Sequence, residues 1–177
     1  LFKYSYPEEK QNIKKIDRES NLDIETLKRN LMKTLVNSHL DFSKTFAKEL
    51  FLRDKKSFFE VMYSFSLMGN PKDLKLFFVY ALEEIFSQIN YDENIFYTII
   101  AYLTKFRDDY SIYMEASNIS FDVAETYSDD KKIYINIFEK VLEKYNLKNK
   151  NKFKISLHKH FEKDFTLNQD LKNILME

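Results

Sequence analysis

Apolar residues recur along most of this chain at steps of three and four, the period of one face of an α-helix. Ile24, Leu27, Leu31 and Leu35 form the first such stripe. Asp23 stands before them as an N-cap, so a helix is predicted from Asp23 to Leu40. A second is predicted from Asp41 to Arg53, with Phe42, Phe46 and Leu50 inward. No Gly or Pro separates the two, so they read equally as one continuous helix. A third helix is predicted over Lys55–Met68, turning Phe58, Val61, Met62 and Phe65 inward. Gly69-Asn70-Pro71 is the sharpest boundary, because Asn70 as N-cap, Pro71 at the first helical position and Asp73 in the first turn form a strong start signal. The fourth helix runs to Ile89, with Leu74, Phe77, Phe78, Ala81, Leu82 and Ile85 as a wide apolar face.

Ile95–Met114 is the most apolar stretch. One stripe holds Ile95, Ile99, Tyr102, Phe106, Tyr110 and Tyr113, and a second holds Phe96, Ile100 and Leu103. A helix apolar on every side belongs in the middle of a bundle. Residues 95–114 are therefore predicted as the central helix, with Ile99, Ala101 and Leu103 almost fully buried. Beyond Met114 the period loosens until Ser128, Asp129 and Asp130 cap another helix, with Tyr134, Ile137, Val141 and Tyr145 inward. Phe153, Leu157 and Phe161 mark a further helix, and Thr166 with Gln169 reads as a capping box for a short last one. Residues 1–22 are polar without a sustained period and read as an arm or tether; 23–177 read as one domain.

The pattern amounts to an all-α, irregular single-domain bundle of about seven to nine helices. The count of one Gly and two Pro supports this, since sandwiches, barrels and Rossmann-type folds use Gly at turns and close approaches. It also argues against a glycine-rich phosphate loop. No repeat at a fixed period is visible, which weakens a solenoid reading. No apolar run approaches the roughly 20 residues of a membrane-spanning helix. The chain begins Leu1-Phe2-Lys3 rather than with Met, as expected of a trimmed product or a piece of something longer.

Chemistry has few parts to draw on. There is no Cys, so no disulfide, thiolate metal site or Cys nucleophile is available. The residues three before His39, His158 and His160 are Val36, Ile155 and Leu157, which removes the Glu-x-x-His signature of a di-iron bundle. His158 and His160 lie about 200° apart on a helix and cannot share a metal there. No cofactor or metal is expected, and the chain reads as a non-enzyme.

Lys+Arg and Asp+Glu both number 28, so nucleic-acid binding is not favoured overall. The charges are nevertheless segregated. Asp108, Asp109, Glu115, Asp122, Glu125, Asp129 and Asp130 occur with no Lys or Arg between 108 and 130. Lys144, Lys148, Lys150, Lys152, Lys154, Lys159 and Lys163 follow, opposed nearby only by Glu143 and Glu162. Either the two stretches pack together and offset each other, or they form a bipolar surface that steers a charged partner. Tyrosines gather near the acidic stretch, and Tyr is enriched at binding hot spots. The candidate partner-binding residues are Tyr110, Tyr113, Asp122, Glu125, Tyr127 and Asp129 in the first stretch, and Lys148, Lys150, Lys152 and Lys154 in the second.

In composition the chain resembles the helical, lysine-rich surface lipoproteins of spirochaetes; no motif carries the likeness and no residue role comes with it. The expected function is a protein-interaction domain, in one form the ectodomain of an exported or surface-tethered bacterial protein that binds a host protein. The alternative is an intracellular adaptor or the effector domain of a larger regulator. A weaker alternative is RNA binding through 148–163.

Overall fold

The computed structural model describes residues 20–105, 107–116 and 127–175. Among them are nine α-helices and no strand. They are α1 (Ile24–Val36), α2 (Leu40–Arg53), α3 (Lys55–Met68), α4 (Lys75–Gln88), α5 (Glu93–Leu103), α6 (Ser111–Glu115), α7 (Asp129–Lys144), α8 (Lys150–His160) and α9 (Gln169–Leu175), with a 3-10 turn at Pro71–Asp73. No helix among the described residues is long and apolar enough to cross a membrane. Of the N-terminal arm, only Ser20–Leu22 falls within the described residues; Ser20 donates to Glu49 on α2, and Arg53 donates to the Leu22 carbonyl.

Helix starts follow their caps. Asp23, Asp54, Asp92 and Ser128 each accept a backbone N–H from the first turn that follows, satisfying donors that the helix leaves unpaired. The last helix differs from expectation: Asn168, not Thr166, receives the N–H groups of Asp170 and Leu171. Between α1 and α2 the chain turns without Gly or Pro. Ser38 adopts a left-handed conformation, and the N–H groups of Ser38 and His39 close back onto Leu35 and Thr34. The two segments are therefore separate helices. The same left-handed device recurs at Leu74 and Asn149.

The most enclosed helix is α3. Phe58, Phe59, Val61, Met62, Tyr63, Phe65, Ser66 and Leu67 are all buried, and the helix packs against α1, α2, α4 and α8. Phe58 lies edge-on to Phe51 at 5.2 Å and beside Phe96 at 5.3 Å, an aromatic knot that joins α2, α3 and α5.

The expectation of a single central helix over 95–114 is corrected. The helix stops at Leu103, and α6 is a separate turn. The Thr104 hydroxyl bonds back to the Ile100 carbonyl, Asp108 accepts from the Asp109 N–H, and Asp109 accepts from the Ser111 N–H. These side chains offer the backbone alternatives to helix. α5 lies to one side against α2 and α4. Its buried stripe is Phe96, Ile100 and Leu103; Ile99 and Ala101 are half-buried, and Tyr102 is exposed. Phe106 lies outside the described residues. α2 is also turned relative to expectation. Ser43, Ala47, Leu50 and Phe51 are buried, whereas Phe42 is 63% exposed. Small residues at the enclosed positions let neighbouring helices approach closely.

Candidate functional site

The sequence-marked residues meet where α6 rests on α8. Tyr113 is buried and stacks on Phe153 with ring centroids 5.2 Å apart. The Lys152 ammonium lies 4.5 Å from the centroid of the Tyr113 ring, a cation–π arrangement. Burial raises the Tyr113 phenol above its usual range. The acidic and Lys-rich stretches thus do touch, through these rings, through the Tyr127–His158 hydrogen bond, and through the charges of His160 and Lys163 acting on Asp109. Tyr110 turns inward towards Phe65, with ring centroids 6.3 Å apart. Its hydroxyl is buried without a hydrogen-bond partner, and burial, assisted by the Asp108 charge, pushes the phenol up to about 12. Tyr127 is half-buried, bonds to His158 Nδ1 at 3.1 Å and meets Phe161 edge-on.

The acids do not form one uncompensated surface. Asp130 is buried, accepts from the Leu167 N–H at 2.7 Å and pairs with Lys172 at 2.8 Å. The Lys172 hydrogen bond, followed by that from Leu167, holds its carboxyl below the usual range. Asp108 pairs with Lys75 at 3.2 Å. Both countercharges come from outside the 144–163 stretch. Asp129 is exposed in the first turn of α7, where a carboxylate favours the helix dipole. Asp122 and Glu125 lie outside the described residues.

The lysines divide differently. Lys144 pairs with Glu83 at 2.9 Å, and Lys152 is held over Tyr113. Lys148, Lys154, Lys159 and Lys163 are exposed, Lys150 is half-buried, and none of these five is ion-paired among the described residues. Between Lys150 and His160, α8 contains no acid at all. Phe153 and Ser156 fix its inward side, which leaves Lys154 and Lys159 in solvent. Next to it, Met114 on α6 is 63% exposed.

Two arrangements escaped the sequence reading. The first is a buried charge cluster where the 107–110 segment crosses the turn between α3 and α4. The side chains of Lys75 and Asp108 are 6% and 7% exposed, and the Lys75 ammonium also lies 4.7 Å from the centroid of the Phe65 ring. A Cβ on Gly69 would collide with the Asp108 carboxylate, so the chain's single Gly permits that approach. Desolvation lifts Asp73 above the ordinary carboxylate range, with the Asp108 charge and hydrogen bond adding to it. Desolvation lowers His160, whose Nε2 is buried without a hydrogen-bond partner. The second arrangement is a clip in which the Tyr63 and Tyr145 hydroxyls and the Lys144 ammonium all bind Glu83. It ties α3, α4 and α7 together beside an open cavity of about 410 Å³. Burial, then the hydrogen bond to Glu83, raises both phenols. Lys75 carried the one available signal, being a cation on a face otherwise filled by Leu76, Val79 and Leu82. Among the described residues, no three His, Asp or Glu side chains converge to hold a metal ion.

Compared with protein-family models, with curated proteins and with solved structures, the chain gives no match.

Proposed function

We propose that this protein is a non-enzymatic interaction domain that docks another protein on the face built by α6 and α8. The observation that carries the reading is the group of exposed lysines on and beside α8, Lys148, Lys154 and Lys159, that are not ion-paired among the described residues. Domains that need charge only for solubility intersperse both signs. Here one sign fills a whole helix, beside the exposed Met114. Such a surface raises the rate of encounter with a partner of opposite charge, while apolar anchors supply affinity. The resemblance in composition to spirochaetal surface lipoproteins favours a tethered ectodomain as the setting.

The test is site-specific photo-cross-linking in the source cells. A benzophenone residue placed at Met114 is expected to give a discrete protein adduct, and one placed at Thr98, exposed on α5, is not. The Met114 adduct should disappear when Lys148, Lys154 and Lys159 are all changed to Glu. Equal adducts from both positions, or none from Met114, would overturn the reading.

A further inference from the structure

Lys148 belongs to two features at once: the exposed lysines on and beside α8, and a groove between α1, α3 and the turn from α7 to α8. The groove has a volume of about 230 Å³. Met32, Val61 and Leu147 give it an apolar floor, and Arg29 and Lys148 stand at its edge. A third cation there, Lys28, is already paired with Glu25 at 3.5 Å and Glu60 at 3.3 Å. The groove therefore offers one apolar depression at the end of a cationic helix. We infer that the occupant of this face is an acidic protein segment carrying one bulky apolar side chain, which enters the groove while neighbouring carboxylates meet Lys148, Lys154 and Lys159. The inference rests on the reading of α8 as a docking face and adds the chemistry of the partner.

Other anionic occupants fit less well. Single-stranded RNA is held by stacking bases on open aromatic faces as well as by cations. The rings around α8 are closed: Tyr113, Phe153 and Phe161 are each buried against the domain. An anionic membrane takes a basic helix that can sink an apolar side, but Phe153 and Ser156 already turn that side of α8 into the bundle. An acidic peptide needs neither open rings nor a free apolar helix face. It needs spaced ammonium groups and a pocket for one anchor, and both are present.

The experiment measures fluorescence anisotropy of a labelled peptide of alternating Asp and Glu with one central Leu, titrated with the whole protein. A control peptide has Gly in place of the Leu, and a labelled oligouridine is titrated in parallel. Binding of the Leu peptide is expected to weaken at least about tenfold in the variant Lys148→Glu, Lys154→Glu, Lys159→Glu, as loss of several charge contacts implies. The Gly peptide should bind the unchanged protein about tenfold more weakly than the Leu peptide, the loss that burial of a Leu side chain predicts. Equal affinity of the two peptides, or indifference to charge reversal, would overturn the inference. So would oligouridine binding that is tighter than the peptide's and lost on reversal, which would make the occupant a nucleic acid. A Met114 adduct in cells without peptide binding would leave the docking face standing and remove only the partner chemistry proposed for it.

Discussion

Replacing Asp108 by Ala is expected to destabilise the domain by about 3–5 kcal/mol, the cost of leaving a buried charge without its partner. The Lys75 ammonium would remain enclosed beside the Phe65 ring. Removing both charges together, as Asp108→Ala with Lys75→Met, should cost clearly less than the single change, because no uncompensated ion is left inside. Urea denaturation at neutral pH measures both. A loss below about 1 kcal/mol for Asp108→Ala would mean that the 107–110 segment is not fastened at this point. Gly69→Ala should be destabilising for the same reason, since its methyl group would occupy the space of the carboxylate.

Phe58→Ala is expected to cost about 3–5 kcal/mol, through lost transfer energy and the cavity left among Phe51, Phe59 and Phe96. On α5, Ile100→Ala should cost about 2–5 kcal/mol, and Ile99→Ala clearly less, because Ile100 is fully enclosed and Ile99 only half so. Thermal denaturation of the three variants ranks them. An Ile99 variant as damaged as the Ile100 variant would restore α5 to the centre of the bundle.

That comparison also shows where the sequence misled. Its apolar residues identify α5 as a helix, but they occur on every side, so periodicity cannot choose between the Ile99 and Ile100 stripes. Nor does it reveal that the helix ends at Leu103, with Thr104 as its C-cap. The bounds of α3 were legible, because Asp54 caps its start and Gly69-Asn70-Pro71 closes its end. The inward residues of α7 were legible too, since Tyr134, Ile137, Val141 and Tyr145 lie on one stripe and all are buried. Long-range pairing was not. Lys75 with Asp108, and Lys172 with Asp130, join residues far apart in sequence, and local charge counting saw only an acidic stretch beside a basic one. The lysines of α8 were visible as a run. Which of them reach solvent depends on the packing of Phe153 against Tyr113, which is a tertiary fact.

The central claim is that the exposed lysines on and beside α8 do no structural work and are free to meet a partner. The stability of the variant Lys148→Glu, Lys154→Glu, Lys159→Glu tests it most directly. Surface changes away from caps, cores and buried pairs usually fall within about 0.5 kcal/mol of the parent, and the variant is expected to unfold within about 1 kcal/mol of the unchanged protein. A loss above about 2 kcal/mol, recovered when Asp122 and Glu125 are changed to Lys in the same chain, would show that the acidic and basic stretches neutralise each other within the domain, and would contradict a free docking face.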